Sequence, residues 1–130
     1  MKKQEKEIVI GQNRLYLRED NILHETIVGY IDYKTATELY QAGSQLRSMV
    51  DGKVDTLTNL ENIVTADPKS IDMAKAAIED KKVRKVAFVG ENPVAVFVAA
   101  QFMSSTKKRN LAFFKIEEEA LQWLKIRDTE

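Results

Sequence analysis

Hydrophobic and polar positions change period most sharply between Lys85 and Met103. Val86-Ala87-Phe88-Val89 is a short unbroken apolar run closed by Gly90, the pattern of a strand covered on both faces. Beyond Glu91, Asn92 and Pro93 supply a cap and a first-turn proline. The apolar run that follows continues from Val94 through Ala99, Ala100, Phe102 and Met103, which is too long for an ordinary strand. Val94, Val96 and Val98 also alternate as a strand would, but length and the Ala-rich continuation predict a helix. The rest of the chain reads as packing around this strand, turn and helix, with Phe88 at the centre of the core.

Upstream, Ile8-Val9-Ile10, Arg14-Leu15-Tyr16-Leu17-Arg18 and Ile22-Leu23-His24-Glu25-Thr26-Ile27-Val28 read as strands, the last two forming an antiparallel hairpin across Glu19-Asp20-Asn21. In residues 35–50, Ala36, Leu39, Gly43, Leu46 and Val50 recur at three and four. Thr35 and Glu38 are spaced for a capping box, so this is an amphipathic helix that stops near Asp51-Gly52. Residues 54–60 form a strand, and Asp67-Pro68 opens a helix with Ile71, Ala74, Ala77 and Ile78 inward. Residues 110–116 form the last strand, and Glu117, Glu118 and Glu119 open the last helix, with Ala120, Leu121 and Leu124 inward and Lys125 and Arg127 at its far end. The expectation is an α/β domain: a mixed sheet that starts with an antiparallel hairpin and continues in right-handed parallel strand-helix units, with about four helices. Residues 1–7 are a charged N-terminal extension, 8–126 a single domain and 127–130 a C-terminal tail.

Composition sets bounds on function. A chain of 130 residues, 44% hydrophobic, has enough apolar surface for one core. Twenty basic against twenty acidic side chains leave no net charge, which argues against a nucleic-acid binder. The absence of cysteine excludes disulfides and thiolate chemistry and suits the cytoplasm, where the protein is expected. The charged start lacks a signal peptide's apolar core, and no run has membrane-spanning length, so an integral membrane protein is not expected.

Candidate chemistry is sparse. His24, the only histidine, shares a strand side with Ile22 and Thr26, while its neighbour Glu25 points the other way; it lacks both an orienting partner and further metal ligands. The three glutamates at 117–119 diverge around a helix and suit its dipole without a metal. Ser104, Ser105 and Thr106 have no companion base, and Gly90-Glu91-Asn92 is no phosphate loop. Trp123, Phe113 and Phe114 read as packing residues. No catalytic residue, metal site or cofactor is expected. On this topology Lys53, Lys81, Lys82, Arg84, Lys85, Lys107, Lys108 and Arg109 fall at one sheet edge, and Glu61, Asp67, Glu91 and the 117–119 acids at the other. Helix dipoles account for much of this segregation; the sharper alternative is an anionic docking surface at Lys107, Lys108 and Arg109.

The order of hairpin, helix and three strand-helix units, closing on Phe113-Phe114-Lys115-Ile116-Glu117-Glu118-Glu119-Ala120-Leu121-Gln122-Trp123-Leu124, resembles the STAS superfamily of anti-sigma-factor antagonists and sulfate-transporter tails, in particular its small bacterial STAS/SEC14-like members. The resemblance spans residues 8–126. It implies a non-enzymatic regulatory module that binds a protein partner where the strand from Val54 passes into the helix at Asp67, through Ile63, Val64, Thr65, Ala66, Asp67, Pro68, Lys69, Ser70 and Ile71. Phosphorylatable members carry Asp-Ser-Ser-Gly at that turn; here it is Asp67-Pro68-Lys69-Ser70, so proline replaces the acceptor serine and Thr65 and Ser70 remain as reserve phosphoacceptors. The related SEC14 architecture holds lipid, which gives the alternative expectation: a carrier or sensor of a small apolar or anionic ligand, lipid-like or nucleotide. An enzyme ranks third, for want of a base and nucleophile pair.

Overall fold

A computed structural model describes residues 6–107 and 110–126. Its elements run β1 (Glu7–Ile10), β2 (Asn13–Leu17), β3 (Ile22–Thr26), β4 (Gly29–Ile31), α1 (Tyr33–Arg47), β5 (Val54–Asn59), β6 (Ile63–Ala66), α2 (Pro68–Ile78), β7 (Val83–Val89), α3 (Pro93–Ser105), β8 (Leu111–Phe114) and α4 (Glu117–Leu124). The main sheet has the order β1-β2-β3-β5-β7-β8: the first three strands are antiparallel and the rest parallel. This is the mixed α/β sheet with four helices that the alternation of periods predicts. β4 and β6 pair in parallel as a separate two-stranded sheet.

Alternation along the strands divides the core into two layers. On one face Phe88, Val86 and Leu60 pack with Ala36 of α1, Ile78 of α2, and Ala95, Val98, Ala99 and Phe102 of α3. Leu15, Leu17 and Leu23 extend that face beneath Ala42 and Leu46. The opposite face presents Ile22, Leu57, Ala87 and Val89 to Ala120 and Leu124 of α4. Gly90 closes β7 because a Cβ there would stand 2.8 Å from the Ala95 Cβ. Asn92 and Asp67 cap their helices, accepting from the Val94 and Ser70 amides, so both Asx-Pro starts behave as their sequences predict.

Several details depart from the sequence reading. α1 is capped by Asp32, which accepts from the Thr35 amide at 2.8 Å; Thr35 is therefore inside the first turn and the expected box with Glu38 does not form. The helix ends at Arg47, short of Val50, and Gly52 makes its turn at φ +80°. The strand from Val54 does not lead directly to Asp67: β6 intervenes, and its partner β4 lies in a stretch where no element was predicted. β7 is flanked by β5 and β8 and so is paired on both sides, but the sheet's middle falls at β3 and β5. Arg84 and Lys85 also leave the expected basic edge. Arg84 makes a two-point ion pair with Asp55 (2.9 and 2.8 Å) and donates to the Leu124 carbonyl. Lys85 is buried, donates to the carbonyls of Trp123 and Ile126 at 3.0 and 2.6 Å, and lies 4.8 Å over the Trp123 ring. Both cations tie the carboxyl end of α4 to the sheet, where its last carbonyls favour positive charge.

Phe88 is 1% exposed and its ring centroid lies 5.6 Å from that of Phe102. Replacing it with alanine is expected to lower stability by about 3 to 5 kcal/mol in chemical denaturation, the usual scale for emptying a buried aromatic site. A loss under about 1 kcal/mol would contradict this packing.

Candidate functional site

Two places on the molecule carry more polar organisation than packing alone requires. The first is the corner where the small sheet meets α1 and α2. β4 and β6 run parallel, and the Asp67 amide donates to the Ile31 carbonyl, so the two helices start side by side. Each start is filled by a carboxylate: Asp32 on the Thr35 amide and Asp67 on the Ser70 amide and hydroxyl, both at 2.8 Å. Those amide hydrogen bonds hold both carboxyls below the usual carboxylate range. The Tyr30 hydroxyl donates to the second Asp67 oxygen at 3.3 Å. The helix dipoles are thus already answered from within the chain.

Around this corner large side chains with apolar bodies are exposed among polar ones. Val64 is 62% exposed, Tyr30 57% and Tyr33 48%. α3 packs against β6 and leaves Phe97 63% exposed. Tyr33 also lines a shallow groove with Lys69, Asp72, Met73 and Ala76.

Within the segment singled out from the sequence, Val64, Thr65, Pro68 and Lys69 are exposed, Ala66, Asp67 and Ile71 are half-buried, and Ile63 belongs to the core. Ser70 is 2% exposed with its hydroxyl on Asp67, so of the two reserve acceptors only Thr65 is exposed. Lys107 is exposed just beyond α3; Lys108 and Arg109 lie outside the described residues. Tyr30 and Tyr33 were not singled out, although they flank the Asp32 cap. His24 is half-buried beside α4's layer, with Nε2 3.2 Å from Arg18 Nη1, and burial lowers its pKa. Among the described residues no three His, Cys, Asp or Glu side chains group as metal ligands, and no helix is long and apolar enough to cross a membrane.

The second place is a partly open pocket beneath the helices. Between the sheet and α1, α2 and α3 lies a chamber of about 100 Å³, walled by apolar groups such as Phe88, Phe102, Met73 and Ile78. At one side Glu25 of β3, Thr56 and Thr58 of β5 and Arg47 of α1 converge. Thr58 donates to Glu25 Oε1 at 3.1 Å, and Arg47 Nη2 stands 3.6 Å from Glu25 Oε2. Sequence reading missed this group. Its one signal was charge on apolar periods: Glu25 lies between Leu23 and Ile27, and Arg47 follows Gly43 by one helical turn.

Burial pushes the Glu25 carboxyl above its ordinary value, against the opposing pull of Arg47 and of the Thr58 hydrogen bond. The folded protein therefore holds that proton more tightly than the unfolded chain, and stability falls as pH rises from the ordinary carboxylate range through the raised folded value. Glu25→Gln removes this slope, so urea midpoints at pH 5 and pH 8 should differ less in the variant than in the wild type. At the corner, Asp67→Ala should lower the urea midpoint in the same measurement, as loss of a helix cap does.

Comparison with protein-family models gives no match, and comparison with curated proteins gives none. Solved structures do match. An uncharacterized DUF3478-family protein with a SpoIIAA-like fold from Shewanella loihica PV-4 aligns over 95% of this chain and 98% of its own, at 16% identity and a TM-score of 0.65. The anti-sigma factor antagonist SpoIIAA in its unphosphorylated form aligns over 85% of this chain and 94% of its own, at 11% identity and a TM-score of 0.62. The chain has the SpoIIAA-like, STAS-like α/β fold.

Proposed function

We propose that this protein is a non-enzymatic regulatory module of the cytoplasm that binds a protein partner through the corner formed by β4, β6 and the start of α2. The observation that carries the reading is the exposure of Val64, Tyr30 and Tyr33 around the turn that Asp67 caps. Large side chains with apolar bodies, two of them tyrosines with polar tips, are what protein interfaces use as anchors. A solved structure of the same fold is that of an anti-sigma factor antagonist, which lends support from a protein that is similar in architecture alone. The core of the contact is assigned to Val64, Thr65, Pro68 and Lys69 of the 63–71 segment, with Ile63 and Ser70 supporting it from beneath.

The surface is read as constitutive. Pro68 has no hydroxyl to phosphorylate, and the carboxylates of Asp32 and Asp67 already occupy both helix starts, so a phosphate nearby would meet like charge. Thr65 is the acceptor that would contradict this. Intact-mass and peptide analysis of protein from its native cells is expected to find Thr65 unmodified while the partner is bound; a phosphorylated fraction that tracks gain or loss of the partner would replace the constitutive reading with a switch.

The docking surface itself is tested by placing a photo-crosslinking amino acid at Val64 or at Tyr33, with exposed Gln122 of α4 as control. A discrete protein adduct is expected at the first two positions and not at the third, and Val64→Glu should weaken the purified complex about tenfold or more, as loss of an anchor does. Equal crosslinking at all three positions would discard the corner as the interface.

A further inference from the structure

Arg47 is 4% exposed, yet its Nε and Nη1 meet no hydrogen-bond acceptor among the described residues; neither does Thr56 Oγ1 beside the same chamber. The guanidinium has a prepared seat. Gly43 lies one turn earlier on α1, and a Cβ there would stand 3.2 Å from Nη1 and 3.4 Å from Nη2. The absence of a side chain at Gly43 lets the cation lie close against its own helix. An arginine held this way would be costly if its donors stayed unmet, since a buried cation needs partners for each of them. Glu25 supplies only the ion pair at Nη2, at 3.6 Å.

From this geometry we infer that the chamber binds a short-chain monocarboxylic acid, its carboxylate on Arg47 and Thr56 and its hydrocarbon tail against Phe88, Phe102 and Met73. Each edge of a guanidinium fork pairs Nη2 with either Nε or Nη1, and a planar carboxylate matches either edge with two parallel hydrogen bonds. The walls beyond are apolar, which suits a tail and disfavours a dianion such as phosphate. The size also selects. A chamber of about 100 Å³ is smaller than the ~150 Å³ cavity that holds benzene, so the part of the occupant held inside has about six heavy atoms or fewer. It is far below the ~300 to 1,000 Å³ of sites that enclose nucleotides or other drug-sized ligands.

Charge also has to balance. Glu25, Arg47 and Tyr40 are the titratable groups among the described lining residues, and Thr58 is the hydroxyl on Glu25. One cation facing two carboxylates would leave a buried negative charge, so Glu25, whose carboxyl burial already pushes up, takes a proton as the ligand anion enters. Affinity for the anion therefore falls as pH rises. This site is separate from the docking corner, and its ligand chemistry stands or falls independently of the protein partner.

The test is a titration of the isotope-labelled full chain with sodium butyrate, followed by amide and arginine Nε–H resonances. Saturable shifts are expected at Arg47 Nε–H and at the Thr56 and Thr58 amides, at least fivefold weaker at pH 8 than at pH 6. Butyramide, uncharged and of the same shape, should bind at least tenfold more weakly, and Arg47→Met should lose at least tenfold. Glu25→Gln, which removes the competing carboxylate, should bind butyrate more tightly and without the pH dependence. That gain cannot come from misfolding, so it and the butyramide comparison decide the matter if Arg47→Met fails to fold. Absence of saturable shifts, equal binding of butyramide, or no gain in Glu25→Gln would overturn the site and leave Arg47 a structural cation bridged by water.

Discussion

Double coverage of the parallel strands is the constraint on which the rest of this structure depends. Most residues of β5 and β7 lie between α4 on one side and α1, α2 and α3 on the other, so a polar side chain on these strands must find its partner inside the protein. On the α4 side this is achieved among the described residues. Lys85 and Arg84 reach the last carbonyls of α4, and a buried lysine that would otherwise be costly becomes the fastening of that helix. On the other side the polar groups Glu25, Thr56, Thr58 and Arg47 satisfy one another only in part.

On the α4 side the Phe114 ring meets that of Trp123 at a tilt, with centroids 5.7 Å apart, and Trp123 receives Lys85. The three-helix layer encloses both the chamber and, at its outer end, the exposed corner around Asp67. The small β4–β6 sheet links the two, since Ile31, Ile63 and Ala66 line the chamber while Tyr30 and Val64 of the same strands face outward.

The corner itself follows from how two helix starts are placed. Parallel pairing of β4 with β6 brings the amino ends of α1 and α2 together, which would concentrate positive potential were Asp32 and Asp67 not there. With both carboxylates in place the corner does not act as an anion cradle. What it exposes instead is the aromatic and aliphatic surface of Tyr30, Tyr33 and Val64.

The sequence by itself determined the order of the longer strands and helices, the caps at Asp67 and Asn92 and the identity of Phe88 as a core anchor, because each of these is written in local period or in residues adjacent along the chain, and that order is what resembled the STAS superfamily. It did not reveal β4 and β6: they are three and four residues long, too short to establish a period, and exist because they pair with each other. It misassigned the start of α1, where two oxygen-bearing residues, Asp32 and Thr35, competed for one cap and the backbone path out of β4 chose Asp32. It placed Arg84 and Lys85 on a basic edge because sequence position alone cannot show that α4 returns its carbonyls to them from about forty residues away. The meeting of Glu25, Arg47, Thr56 and Thr58 was likewise decided only by tertiary structure. These residues come from three elements distant in sequence, and only burial between sheet and helix turns four ordinary polar side chains into a charged group with donors left to satisfy.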